Sequence, residues 1–144
     1  MEESLSGEAC GRRLCLLQKQ ERRGGEMKVM KSTNIPKIIP EDPIFTGPVT
    51  AQPLIHEGNT FMADVVNFSK GVRNKMHTHT TDQILIITHG KGYVATESEK
   101  VEVEPGDIIL IPAGEKHWHG ATENSEMSHI HVVGAGSPCN VVET

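Results

Sequence analysis

The sequence predicts an all-β protein, a single-domain β-barrel of jelly-roll type with a short N-terminal extension outside the core. From Val49 onward, short β-rich runs are separated by turn residues at intervals of roughly 8 to 12 residues. No helical period competes with these runs. Several short antiparallel strands within one domain imply a sandwich or a barrel, of which the jelly roll is a common form.

Composition supports a folded domain and excludes several functions. The 144 residues are 36% hydrophobic and 23% charged, which lies outside the range of disordered chains. The net charge of -5 provides no basic surface for nucleic acid, and no apolar run is long enough to span a bilayer. Cys10, Cys15 and Cys139 lack the spacing of a disulfide framework or a cysteine metal cluster. We therefore expect a cytoplasmic protein without nucleic-acid or membrane partners.

Residues 1–31 differ in composition from the rest of the chain. They hold seven of the fourteen Lys and Arg residues and no sustained apolar face, although a short helix around 14–20 is compatible with the sequence. We expect this extension to be disordered or a gene-start artefact, with Met27 as the natural start, because purine-rich sequence typical of a ribosome-binding site could encode the segment before Met27. A flexible partner-binding arm is the functional alternative.

The elements after this extension follow from proline and turn positions. Three prolines exclude a regular helix from residues 32–46 and predict an extended strap along a domain edge. The barrel is predicted over residues 47–134, and residues 135–144 are expected to form a C-terminal tail. The predicted strands lie near 49–55, 60–68, 73–79, 83–89, 92–96, 100–104, 107–111, 117–122 and 127–133.

Paired histidines point to the function of the barrel. Six of the eight histidines form three pairs with one residue between the partners: His77 with His79, His117 with His119, and His129 with His131. Because side chains alternate faces along a strand, both members of a pair project from the same face. A lone buried histidine is more often a hydrogen-bonded core residue, but so many imidazoles inside one barrel would need unusually many hydrogen-bond partners. Their convergence therefore predicts a transition-metal site.

Two motifs surround these histidines. The first is Gly71, five residues, His77-Thr78-His79, three residues, Gln83, six residues and Gly90; the second is Gly106, five residues, Pro112, one residue, Gly114, two residues and His117. Together they resemble the two motifs of the cupin family, over roughly residues 47–134. The resemblance implies a cupin jelly roll with His77, His79, Gln83 and His117 as metal ligands. Gln83 and Ala121 depart from the family, which usually has glutamate and asparagine there.

The glutamine changes the electrostatics of the expected site. Three imidazoles and an amide oxygen leave a divalent ion with its full charge, whereas a carboxylate would reduce that charge by one. Such a site is a stronger Lewis acid, which should stabilise an alkoxide, enolate, cyanide or hydroxide ligand and should be less suited to supporting high-valent iron.

A closer resemblance rests on residues 77–83, Ile86-Ile87-Thr88, Pro105-Gly106-Asp107, residues 114–121 and Met127-Ser128-His129. These stretches are similar to the manganese-dependent cupin hydroxynitrile lyases and their small bacterial relatives. This resemblance implies a small-molecule substrate, with His119 and His129 as the catalytic histidines that handle its proton. It also favours manganese among the divalent ions of Mn, Fe, Ni, Zn and Cu, one of which the site would hold.

The expected function is that of a metal-dependent lyase or isomerase acting on a small carbonyl or hydroxylated molecule. A metal-dependent dioxygenase and a non-enzymatic cupin that binds a metal or small molecule are the alternatives. We expect a homodimer, because exposed sheet edges are often covered by pairing between subunits. His56 and His89 are expected on the surface, whereas His131 either points inward or packs at the closing end of the barrel.

Overall fold

The structure, a computed structural model, describes residues 27–57 and 60–143. Residues 1–26 of the expected extension, with its possible helix at 14–20 and with Cys10 and Cys15, lie outside the described residues. Within them the chain is nearly all β, apart from a 3-10 helix at Ser32–Asn34. The predicted all-β jelly-roll fold is confirmed.

Two antiparallel sheets enclose the interior. One has the strand order β1-β2-β9-β4-β7 and the other the order β10-β3-β8-β5-β6. The strands are β1 (Val49–Ile55), β2 (Phe61–Phe68), β3 (His77–His79), β4 (Gln83–Gly90), β5 (Gly92–Thr96), β6 (Lys100–Val103), β7 (Ile108–Ile111), β8 (His117–Ala121), β9 (Met127–Gly134) and β10 (Cys139–Val141).

The interior is apolar towards one end and polar towards the other. Along β4 the inward side chains are Gln83, Leu85 and Ile87, each at most 2% exposed. Leu85 and Ile87 belong to the apolar core, which also contains Phe68 and Met127. The period-two alternation of the strand thus places an amide at one end of a row of aliphatic side chains.

β3 is shorter than the sequence predicts. Of the predicted strand 73–79 only His77–His79 is a regular strand, and Arg73 and Asn74 form isolated bridges to other segments. β10, which the sequence does not predict, pairs with β3 from Cys139 opposite His79 to Val141 opposite His77. β8 flanks β3 on its other side. The short strand is therefore held between two neighbours, which restricts where its two imidazoles lie.

The proline-containing segment runs along β1. Ile38 and Ala51 exchange two backbone hydrogen bonds of 2.8 Å. The side-chain amide of Gln52 donates to the carbonyl oxygens of Ser32 and Ile35 at 2.9 and 2.8 Å. Prolines prevent helical hydrogen bonds in this segment, and several of its backbone groups bond to β1 instead.

Candidate metal centre

Strands β3 and β8 bring three histidines together. His77 lies opposite His117 in the antiparallel pair, and His79 projects from the same face as His77. One ring nitrogen of each residue lies within 4.8 Å of those of the other two. Their residue exposures are 1%, 8% and 0% for His77, His79 and His117. The structure therefore contains a possible three-histidine metal site inside the barrel.

Backbone carbonyls orient two of these rings. Nδ1 of His77 donates to the carbonyl oxygen of Lys75 at 2.6 Å, and Nδ1 of His117 donates to that of Glu115 at 2.8 Å. In both cases the acceptor lies two residues earlier in the chain. With the proton on Nδ1, the lone pair of the neutral ring is on Nε2, which is then the atom available to a metal.

His79 has no hydrogen-bond partner at either ring nitrogen, although both nitrogens are buried. A buried polar atom without a partner costs about 1–3 kcal/mol. A metal ion at one of these nitrogens would remove that cost for the bound atom. The unpartnered ring is therefore better explained by a ligand role than by a role in core packing.

Gln83 offers a further ligand atom beside His117. Its Oε1 lies 3.0 Å from Nε2 of His117. Since the proton of His117 is directed at the Glu115 carbonyl, both of these atoms are acceptors, and a cation between them would satisfy both. Cis ligands bound to one ion at roughly 2.1 Å are about 3 Å apart. These residues therefore fit a divalent ion held by His77, His79, Gln83 and His117.

Burial keeps the three imidazoles neutral. It lowers the pKa of His79 to about 3, and repulsion from His117 and His131 acts in the same direction. Burial also lowers the pKa of His77 well below its usual value, assisted by repulsion from His117 and His79. The pKa of His117 is lowered by burial despite its bond to the Glu115 carbonyl. The neutral ring is the form that binds metals.

His119 and His129 form a second histidine pair beside this cluster. Nδ1 of His119 lies 2.9 Å from Nε2 of His129. The His119 ring is stacked on that of His117, with centroids 5.7 Å apart and planes inclined by 15°. Burial lowers the pKa of both rings, that of His129 to about 3. Both predicted proton-handling histidines therefore lie next to the possible metal site as neutral rings.

Asn74, which the sequence did not indicate, holds His119 in place. Its Oδ1 accepts the backbone N–H of His119 at 2.9 Å, and its Nδ2 lies 3.2 Å from Nε2 of that ring. Gly120 permits this approach, since a Cβ there would lie 2.4 Å from Cα of Arg73. A regular strand over 73–79 would have directed Asn74 away from the face of His77, so strand alternation could not have found it.

A buried carboxylate lies behind Gln83. Asp64 on β2 is 0% exposed, and its Oδ2 accepts a hydrogen bond of 2.9 Å from Nε2 of His131. Nε2 of His56 donates to the other oxygen, and Nε2 of Gln83 lies 3.2 Å from Nδ1 of His131. Burial raises the pKa of Asp64, but the hydrogen bonds that its carboxylate accepts from His131 and His56 outweigh burial and hold this pKa at about 2.

These positions correct one expectation and decide another. The expectation that His56 lies on the surface was wrong, because its side chain is 2% exposed and bonded to Asp64. His131 points inward, with its side chain 14% exposed. His89 is exposed, as predicted. Asp64 lies two residues after the buried Met62 in β2, so strand alternation could have predicted that its carboxylate points inward.

Comparison with known proteins agrees with the fold. The family described as "Cupin domain" matches residues 64–133. A cupin-like protein from Thermotoga maritima, known from a crystal structure, superposes with a TM-score of 0.69 at 26% identity. The superposition covers 82% of this chain and 90% of that protein.

Two curated relatives are enzymes by name. An (R)-mandelonitrile lyase from Granulicella tundricola is 38% identical over 91 residues, which cover 61% of this chain and 70% of that enzyme. An acireductone dioxygenase from Bacillus mycoides is 30% identical over 83 residues, which cover 48% of this chain and 49% of the dioxygenase. The alignment thus spans about half the length of the dioxygenase.

The chain belongs to the cupin family, and the resemblance indicated by its motifs is confirmed. Within it, the interior histidines form a possible metal site, and relatives include a lyase and dioxygenases. None of the helices in residues 27–57 and 60–143 has the length and hydrophobicity that a bilayer crossing requires.

Proposed function

We propose that this cupin is a divalent-metal-dependent enzyme that acts as a Lewis acid on a small carbonyl or hydroxylated molecule, as a C–C lyase of the hydroxynitrile lyase type. The neutral donor set carries the proposal: three imidazoles and one amide oxygen converge inside the barrel. No ligand carboxylate lowers the charge of the ion, so its full charge acts on the substrate. The 38% identity to an (R)-mandelonitrile lyase supports this choice.

Each residue of the site has a defined task. The ligands His77, His79, Gln83 and His117 would hold one ion, for which the family resemblance favours manganese. When bound, such an ion polarises a substrate oxygen and stabilises the negative charge that develops there. The apolar core next to the site, including Phe68 with its ring centroid 5.4 Å from that of His129, limits access of bulk water to the reacting groups.

His119 and His129 supply the acid–base function. In cleavage of a cyanohydrin, one of these rings takes the hydroxyl proton while the bond between the carbinol carbon and the nitrile carbon breaks. The electron pair of that bond leaves with cyanide, which then receives the proton, so that one cyanohydrin gives one aldehyde and one hydrogen cyanide. Both rings are neutral, and the 2.9 Å contact between them provides a path for that proton.

Dioxygenase activity is the second candidate, favoured by the 30% identity to an acireductone dioxygenase. Such an enzyme would use the same ligands but would consume oxygen. A third possibility, a cupin that only binds a metal or a small molecule, predicts neither cleavage nor oxygen uptake.

The test uses the full chain, stripped with a chelator and reloaded with Mn²⁺. Racemic mandelonitrile is supplied without oxygen at mildly acidic pH, where base-promoted breakdown is slow, and benzaldehyde and the remaining enantiomers are measured. We expect metal-dependent loss of one enantiomer, unchanged in a His89→Ala control that removes an exposed imidazole. Oxygen uptake with diketone or quercetin-like substrates would instead support the dioxygenase. Failure of both assays, with ligand binding that survives metal removal, would support a binding protein.

A further inference from the structure

A continuous hydrogen-bonded chain leads from Asp64 to the candidate metal centre. Both oxygens of its buried carboxylate are occupied, one by His131 and one by His56. His131 contacts Gln83 through its other ring nitrogen, at 3.2 Å from the amide nitrogen. We call Asp64, His131 and Gln83 the relay. The proton transfers described above do not use it.

The carboxylate sets the direction of each bond in the relay. An ionised carboxylate only accepts hydrogen bonds, so Nε2 of His131 carries a proton. The Gln83 amide nitrogen lies 3.2 Å from Nδ1 of the same ring and can only donate, so Nδ1 is the acceptor of this contact. The amide oxygen is left 3.0 Å from Nε2 of His117, on the side of the metal-binding histidines.

This orientation needs a cause, because the two ends of a glutamine amide have nearly the same shape. In the flipped amide, the NH₂ group would donate to the lone pair of His117, and both ligand atoms would be lost to a metal. Without a metal and without the relay, the flipped amide is the better-bonded state. The relay opposes the flip because Nδ1 of His131 would then face the amide oxygen, acceptor against acceptor.

We propose that Asp64 and His131 are positioning residues, which hold the Gln83 amide with its oxygen turned towards the metal-binding histidines. The role of this orientation in metal binding rests on the proposed metal centre. The hydrogen bonds of the relay are present in the metal-free protein. Residues that orient metal ligands typically contribute about 10- to 100-fold to metal affinity.

The relay requires an acceptor at position 64, not a negative charge. In Asp64→Asn the amide oxygen can still accept from His131, while its NH₂ group donates to Nε2 of His56. His56 can adapt by moving its proton to Nδ1, which has no partner. Asp64→Leu removes the acceptor altogether. We therefore expect Mn²⁺ affinity within about threefold of wild type for Asp64→Asn and a loss of about 10- to 100-fold for Asp64→Leu.

A second comparison separates positioning from a general structural effect. His131→Leu should weaken Mn²⁺ binding by about 10- to 100-fold when residue 83 is glutamine. In a Gln83→Glu background it should not weaken binding, because both ends of a carboxylate are oxygens and there is no amide orientation left for His131 to hold. His89→Leu is the matched control for loss of an imidazole. An equal loss in both backgrounds, or none in either, would overturn the proposal.

The tautomer of His131 is measured directly in the metal-free protein by ¹⁵N NMR of the histidine rings at pH 7.5. We expect the neutral form with its proton on Nε2 in the wild type, and a mixture of tautomers in Asp64→Leu. A doubly protonated ring, or a proton on Nδ1 alone, in the wild type would contradict the relay. If the wild type binds no Mn²⁺, the proposed function fails, and the NMR result alone decides the inference.

Discussion

Replacement of His117 by alanine tests the candidate metal centre most directly. The substitution removes one donor nitrogen and a ring whose centroid lies 4.3 Å from that of His77. The removed nitrogen, Nε2, is the candidate metal ligand that lies 3.0 Å from Oε1 of Gln83. Four-ligand zinc sites contribute roughly 10–16 kcal/mol, or about 3 kcal/mol per ligand. The expected loss of Mn²⁺ affinity is therefore about 100-fold.

The assay is titration of chelator-stripped protein with Mn²⁺ against a competing chromogenic chelator, combined with thermal unfolding. At a Mn²⁺ concentration 100 times the wild-type dissociation constant, the wild type gains about 2.7 kcal/mol of stability. A variant that binds 100-fold more weakly gains only about 0.4 kcal/mol under the same conditions. The His89→Ala control should behave as the wild type. Affinity of His117→Ala within about threefold of wild type would refute the assignment of this residue as a ligand.

Three further outcomes are expected. Gln83→Glu should retain Mn²⁺ but lower cyanohydrin cleavage, because a carboxylate reduces the charge of the site, and wild-type turnover would contradict this. Burial lowers the pKa of His129 from 6.5 to about 3, so as the pH falls this ring is protonated in the unfolded state before it is protonated in the folded state. Stability of the metal-free protein should fall as the pH drops from 6.5 towards 3, by at most about 1.4 kcal/mol per pH unit for this group, and thermal unfolding of His129→Leu should show a smaller slope. The outer face of the β4–β7 pair is a candidate interface for the expected homodimer, since Ile84, Ile108 and Leu110 are 39%, 72% and 63% exposed there. If the dimer forms through this face, Leu110→Lys should give monomers in sedimentation velocity. An unchanged mass would exclude that interface.

Strand alternation explains most of what could be predicted from the sequence. It needs only local geometry, and it correctly directs His77 and His79, and also His117 and His119, into the interior. The register that sets His77 opposite His117 depends on the two sheets as a whole, and short motifs do not encode it.

The residues that escaped prediction are those whose positions depend on contacts distant in sequence. Asn74 reaches His119 only because a segment outside the regular strand packs against Gly120. His56 precedes a turn, where a surface position is the ordinary expectation. Its side chain is buried because it donates a hydrogen bond to the buried carboxylate of Asp64. Asp64 itself interrupts an otherwise apolar inward row, and its partners come from another strand and a loop.

The position of Asp64 reconciles a neutral donor set with a buried carboxylate inside the barrel. Among the buried side chains of the described residues, Asp64 is the one carboxylate. It is separated from the Gln83 oxygen by an imidazole and an amide, which transmit orientation through hydrogen bonds but keep the negative charge out of direct contact with the site. A glutamate ligand would provide an oxygen donor without needing a relay, but at the cost of one unit of charge on the ion. Glutamine preserves that charge, and a buried acceptor such as Asp64 is what its amide then requires.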